Sequence, residues 1–218
     1  AAATVAKVDY TVEYLTHLEN FAEHRFPNDR YDDQHEEARE YIMKAFEKHG
    51  LRTQVQKFNT SVNTDIIGIN PEDKIVEGQN IIAIAEATSN KPEAVIVVGA
   101  DYDTNGVDNP LFNNGAGVAV LLETVRLFMY NVRWSQAFRQ NFTTVFVAFD
   151  LNTREHEGSA GKPGSYHFVN EWLWTFLNRS KVNFGGAYII DSVMNVNQDV
   201  RSQIADSKFQ QEVGYFLL

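Results

Sequence analysis

Apolar residues recur along this chain at two periods, and the switches between them mark out a series of elements. From Tyr10 to His24 the residues Tyr10, Val12, Leu15, Leu18 and Phe21 follow mostly helical spacing, with Asp9 or Thr11 placed to cap the start. A second helix is predicted from Gln34 to His49, carrying Ala38, Tyr41, Ile42 and Phe46 on one face and stopping at Gly50. Then the period changes. Residues 53–60, TQVQKFNT, alternate as a strand does near a sheet edge, and the polar stretch from Ser61 to Gly78, with Asn70-Pro71, reads as a loop or irregular hairpin. Gln79 to Ala87 (QNIIAIAEA) and Ala94 to Val98 (AVIVV) are apolar runs separated by the turn SNKPE. The second, closed by Gly99, has the form of a strand buried on both faces. Their nearness along the chain predicts neighbouring antiparallel strands inside a mixed sheet.

The same alternation continues. A strongly apolar helix is predicted from Gly115 to Tyr130, with Val118, Leu121, Leu122, Val125, Leu127 and Phe128. Thr143 to Phe149 (TTVFVAF) is a continuous apolar strand, and Tyr166 to Leu177 an amphipathic helix whose two tryptophans read as packed core. A short buried strand is expected at Ala187 to Ile190 and a final helix at Ser207 to Leu218. Strands alternating with helices indicate an α/β protein, in which ligands sit outside the carboxyl ends of the strands. Polar residues gather at those ends. Asp101 and Asp103 follow one strand, then come Asp108, Asn113 and Asn114, while Asp150, Asn152 and Thr153 follow the next and Asp191 a third.

Composition narrows the function classes. A length of 218 residues with 44% hydrophobic content and no long apolar run predicts one soluble domain able to bury a full core. The net charge of -10, with no block of basic residues, argues against nucleic acid or an anionic membrane surface as partner, and no segment predicts membrane insertion. The absence of cysteine excludes disulfides and thiolate metal sites. The opening AAATVAKVDY has no leader pattern. Sequons at Asn59, Asn141 and Asn178 would be glycosylation sites in a secreted protein. With no cysteine and no G-x-S-x-G, no nucleophile motif is present. His17, His24, His35 and His49 lie on or beside the first helices, where solvated or capping roles are expected. His167 is expected on a helix face, which leaves His156 as the histidine nearest the strand ends in sequence.

The stretch GADYDTNGVDNPLFNNGAG resembles the two-zinc aminopeptidases, the family that also contains glutaminyl cyclases, glutamate carboxypeptidase and the transferrin receptor ectodomain. Its members read like G-A-H-x-D-[ST] after this strand, D-N-x-[SA]-G at the helix start and Glu-Glu after the next core strand. The early segment RFPNDRYDDQHEEAREYI is similar to the family's R-x-[PG]-G-S followed by an acidic helix and Y-I. The resemblance implies an α/β fold of three αβα layers around a mixed, mostly parallel central sheet. It also implies that the helical segment of about 1–50 packs on the sheet domain. The family takes a further His ligand from beyond the last residue of this chain, so 1–218 is expected to be a fragment or a natural truncation lacking the C-terminal part.

The frame matches while the ligands differ. Asp101 stands where the resemblance implies a zinc-binding His, Asn113 where it implies the bridging carboxylate, and Asn152 and Thr153 where it implies the general base and a ligand. Asp103 and Asp191 are retained. Glu155 and Glu157, in the Gly-rich segment REHEGSAGKPGS, take the missing roles only if the alignment gap slides. A neutral amide compensates less cation charge than a carboxylate, and losing the base costs ~10²-fold or more in rate. The expectation is a catalytically inactive domain, with no cofactor, that serves as a binding or structural scaffold for a protein partner or for self-association. Its setting is expected to be extracellular. The alternative is an active zinc-dependent aminopeptidase or related hydrolase with shifted ligands. In the inactive reading Asp101, Asp103 and Asp191 are vestigial metal positions. Their all-oxygen character suits calcium better than zinc, but the spacing matches no calcium loop, and hydrogen bonds to turn backbone are the simpler expectation.

Overall fold

The computed structural model describes residues 10–26, 32–63, 73–89, 91–105, 108–134, 140–152, 161–191 and 193. The predicted final helix at Ser207 to Leu218, Asn70-Pro71, Thr153, Glu155, His156 and Glu157 lie outside them. The elements are α1 (Tyr10–Glu19), α2 (Asp32–Lys48), β1 (Arg52–Asn63), β2 (Asp73–Ala85), β3 (Ala94–Asp101), α3 (Ala116–Trp134), β4 (Thr143–Phe149), α4 (Gly164–His167), α5 (Trp174–Ser180) and β5 (Asn183–Ile189). A π-helical turn, Phe168–Leu173, joins α4 to α5, and another, Leu111–Gly115, leads into α3.

The strands form one sheet in the order β1-β2-β4-β3-β5. The β1/β2 and β2/β4 pairs are antiparallel, and β4/β3 and β3/β5 are parallel. Alternation along the strands sends side chains to two separate cores. Ile81, Ala83, Phe146 and Ala148 face Ala38, Ile42 and Phe46 of α2 and Val118, Leu121, Leu122 and Val125 of α3. Ile82, Ile84, Val95, Val97, Val145 and Val147 face Phe168 and Leu173 of the helical run after β4. Helices thus cover both faces of a mixed sheet, as three αβα layers require. The turn into α3 and the helix itself, Leu111–Trp134, are long and apolar enough to cross a membrane by length and composition. Here α3 is the central helix of the first core, with Leu121, Leu122 and Val125 buried. Gly50 ends α2 as expected, its φ of 79° lying in the left-handed region.

Several expectations change. Of the two readings of the polar stretch, loop or irregular hairpin, the hairpin holds for its described ends, with β1 running to Asn63 and pairing with β2 from Asp73. Strands β2 and β3 are not neighbours, because β4 lies between them. All seven residues of β4 are buried, which suits the centre of the sheet. The segment between β2 and β3 straddles the entry to β4: Thr88 N–H donates to the Gln140 carbonyl (2.9 Å), Glu93 N–H to the Asn141 carbonyl (2.9 Å) and Gln140 Nε2 to the Ala85 carbonyl (2.8 Å). The tryptophans divide. Trp172 packs beside the second core and donates from Nε1 to Gln54 Oε1 (3.0 Å), whereas Trp174 is exposed. The strand expected at Ala187 to Ile190 is longer, Asn183–Ile189, and is exposed at the edge of the described sheet rather than buried.

One buried cation ties the first helices to the loops. Arg25 donates from Nε to the Tyr102 carbonyl (2.7 Å), from Nη1 to the Phe21 carbonyl (2.7 Å) and from Nη2 to the Pro110 carbonyl (3.1 Å). Its backbone N–H donates to Thr104 Oγ1 (2.7 Å), and Thr104 N–H returns a bond to the Arg25 carbonyl (3.1 Å). Burial lowers the Arg25 pKa to about 10, opposed by Asp103, so the group stays charged at neutral pH. Replacing it by methionine leaves these carbonyls unpaired. Arg25→Met is expected to cost about 3 kcal/mol or more, read as a lower urea midpoint with an unchanged m-value.

Candidate functional site

The site lies where β3 and β4 end. Their parallel register sets Asp101 opposite Phe149, and the Tyr102 N–H extends the ladder by donating to the Phe149 carbonyl (2.9 Å). The two strand-end segments therefore leave the sheet side by side. Asn152 meets both acids of the β3 end: its side-chain Nδ2 donates to Asp101 Oδ1 (2.9 Å), and its backbone N–H donates to Asp103 Oδ1 (3.1 Å). Its Oδ1 accepts from the Ser165 hydroxyl (2.6 Å) and the Ser165 N–H (3.2 Å). Two positions read as altered, Asp101 and Asn152, are thus bonded directly to each other. Asp103 thus accepts a backbone N–H from the segment after β4.

Residues that the sequence reading did not single out hold this arrangement. Asn80, fully buried on β2, accepts from the Asp150 N–H (3.0 Å) and donates to the Gly164 carbonyl (2.8 Å). The Gly164 N–H donates to the Asp150 carbonyl (3.0 Å), and a Cβ at Gly164 would come within 2.2 Å of that oxygen. Only glycine lets the start of α4 sit this close, which is what brings Ser165 to Asn152. Asp150 bonds His35 Nε2 (2.8 Å) and accepts from Gln79 N–H (2.8 Å) and Leu151 N–H (2.9 Å). His35, expected to be solvated or capping, is buried and stacks on Tyr102. His17 is likewise buried, its Nδ1 2.8 Å from the Tyr41 hydroxyl. His167 sits on its helix face, as expected, with Nδ1 2.7 Å from Glu171. A polar residue opening an apolar strand was the signal available for Asn80. Nothing local in the sequence marks the His35 pairing.

The remaining described positions are not gathered into one ligand set. The Asn113 Nδ2 faces Asp108 Oδ2 at 3.5 Å, and Asp108 is further held by Asn105. Asp191 is exposed, near enough to raise the Asp101 pKa. Burial is the main cause that raises Asp101, to about 7, with Asp103 and Asp191 adding and the Asn152 bond opposing. For Asp150, burial acts upward, but the His35 charge and hydrogen bond, with Gln79 and Tyr102, hold it below the ordinary carboxylate value.

A two-zinc centre needs imidazole and carboxylate donors converging on the ions. Asp101 instead faces an amide N–H, the amide of Asn113 faces another acid, and no group of three or more His, Cys, Asp or Glu among the described residues could hold a metal. These residues do not fit the metal. Nor is Ser165 activated, because its hydroxyl donates to an amide oxygen, which takes up no proton as imidazole would.

Calorimetric titration with zinc is expected to show no saturable binding below millimolar concentration, and titration with calcium the same. Stability should also carry the signature of Asp101. The unfolded carboxyl loses its proton near 3.8 and the folded one near 7, so its contribution is full below 3.8 and is lost as pH rises through about 7. Asp101→Asn is expected to flatten that part of the profile and to raise the urea midpoint above pH 7 relative to wild type.

A family profile described as Peptidase family M28 matches residues 80–212. No protein of curated function matches by sequence. Among solved structures, glutaminyl cyclase from Macrostomum lignano superposes with a TM-score of 0.59 at 15% identity, over 84% of this chain and 52% of that one. For the Porphyromonas gingivalis glutaminyl cyclase the values are 0.58, 17%, 84% and 58%. For the one from an Acidobacteriales bacterium they are 0.61, 18%, 88% and 61%. At these identities the likeness is one of fold, and the chain spans between 52% and 61% of the length of these three structures.

Proposed function

The chain belongs to peptidase family M28, and from that premise we propose that it is a catalytically silent member whose peptidase frame serves as a binding or structural scaffold. One observation carries the reading: the Asn152 amide donates to Asp101 and accepts from Ser165. Hydrolysis needs a base that takes a proton from water, and a carboxamide bound on both sides offers none. Fold and activity separate readily in this way, because activity resides in a few side chains and the fold in two cores.

Exposure of Asn59, Asn141 and Asn178 supports an extracellular setting, since a glycan needs an accessible asparagine. Secreted from a glycosylating host, the chain is expected to lose mass on glycosidase treatment, in steps removed singly by Asn→Gln at these positions.

The decisive assay uses aminoacyl and N-terminal glutaminyl substrates with added zinc. The expected result is no turnover above the buffer rate. Turnover abolished by a chelator and restored by zinc overturns the proposal in favour of an active metallohydrolase.

A further inference from the structure

We propose that α1 is a pH-sensitive latch, docked on α2 and α3 at neutral pH and released when acid protonates His17. The device stands apart from the strand-end site and holds whether or not that site is silent. His17 is only 7% exposed. Its Nδ1 lies 2.8 Å from the Tyr41 hydroxyl of α2, the two rings meet edge-on, and its buried Nε2 has no partner among the described residues. A neutral imidazole bonds Tyr41 through one nitrogen and leaves one neutral group unpaired. An imidazolium must donate from both nitrogens, which would bury a charged Nε2–H without an acceptor.

Charges from all three helices meet here. Glu13 of α1 binds Arg126 of α3 (2.8 Å) and reaches Lys48 of α2 (3.6 Å), and Arg126 also binds Glu123 (2.8 Å). A cavity of about 210 Å³ at this junction is lined by Glu13, His49, Arg126, Tyr130 and Arg133, among others. Two carboxylates thus answer Arg126, Lys48 and Arg133, and protons on His17 and His49 add cations that no further carboxylate of this group meets. Burial is the main cause that holds both histidines below their ordinary 6.5. Lys48 adds to it at both, with His49 adding at His17 and Arg126 at His49, while Glu123 and Glu13 oppose. A released helix returns His17 to water, so below 6.5 it binds more protons than the docked one. Docking is therefore at full strength above 6.5, and its equilibrium constant falls by up to about tenfold per pH unit below it, until the docked imidazole itself titrates. Release ends at a fixed point. Phe21 is fully buried and Arg25 bonds the Tyr102 and Pro110 carbonyls, so the latch opens between Glu19 and Phe21.

The test follows amide protection factors in the full chain between about pH 7.5 and pH 5, together with an NMR titration of the His17 ring. Once undocked, a helix as short as α1 frays, so its amides report release directly. Protection of the α1 amides is expected to fall at least about fivefold over this range while that of Leu121 and Leu122 in α3 is kept. The His17 ring should titrate below 6.5, over the same interval as the opening. His17→Gln offers Tyr41 a polar partner that takes up no proton, and should remove most of the pH dependence. If that variant fails to dock even at pH 7.5, the wild-type ring decides alone: a His17 midpoint at or above 6.5 overturns the inference. So does α1 protection that is indifferent to pH, or an acid opening undiminished in a docked His17→Gln. Loss of α1 and α3 protection together also overturns it, because the whole chain is then unfolding and no latch has opened.

Discussion

The parallel pairing of β3 with β4 is the constraint from which the rest of the site follows. Seven consecutive register pairs, from Val95 with Thr143 to Asp101 with Phe149, make both strands end at one level. The acids after β3 and the amide after β4 then have nowhere to go but toward each other. Two further ties keep them there. On one side Arg25 binds the carbonyls of Tyr102 and Pro110, fixing the segment that follows β3. On the other, Asn80 bridges Asp150 to Gly164 and so draws the start of α4 against the end of β4. Burial makes both ties strong, since an unpaired carbonyl or N–H in that interior would cost a full desolvation penalty.

The described residues at this end of the sheet supply part of their own charge compensation. Asp101, Asp103 and Asp191 lie close enough for the latter two to raise the Asp101 pKa. Bound dications would compensate such a cluster directly. In this chain the same load is shared among protein groups: a proton retained on Asp101 up to about pH 7, the Asn152 side chain and backbone as donors, and the Arg25 guanidinium, which Asp103 helps to keep charged. An amide at position 152 suits this arrangement better than a carboxylate, because a further negative charge beside Asp101 and Asp103 would need yet another proton or cation.

Much of this architecture is legible in the sequence, for identifiable reasons. The helical faces of α2 and α3, the apolar run of β4 and the stop at Gly50 are local features, decided by spacing and by one residue's backbone freedom. Asp101, Asp103, Asn113 and Asn152 stand out because a family pattern passes through them. What escaped was long-range. The order β2-β4-β3 could not be read from nearness along the chain, because two apolar strands joined by a short segment look alike whether they pair or flank a third. The exposure of β5 escaped for a related reason: its residues read as core, and only the sheet order shows that nothing described lies beyond them. His35 with Asp150, and Arg25 with Tyr102, are separated by 115 and 77 residues, and no local pattern records such partners.

These distant ties hold the strand-end loops without relying on the side chains at positions 101, 113 and 152. If the order of the strand-end loops came from metal, then removing ligands would leave carboxylates facing one another across a gap, and the loops would lose their anchor. Here each element is held from an independent layer. Asp150 is fixed by His35 from α2 and by Gln79 from β2, the segment after β3 by Arg25 from beyond α1, and the start of α4 by Asn80. None of these contacts passes through position 101, 113 or 152. The cores and their polar ties therefore decide where the walls of this site stand, independently of the side chains at those positions.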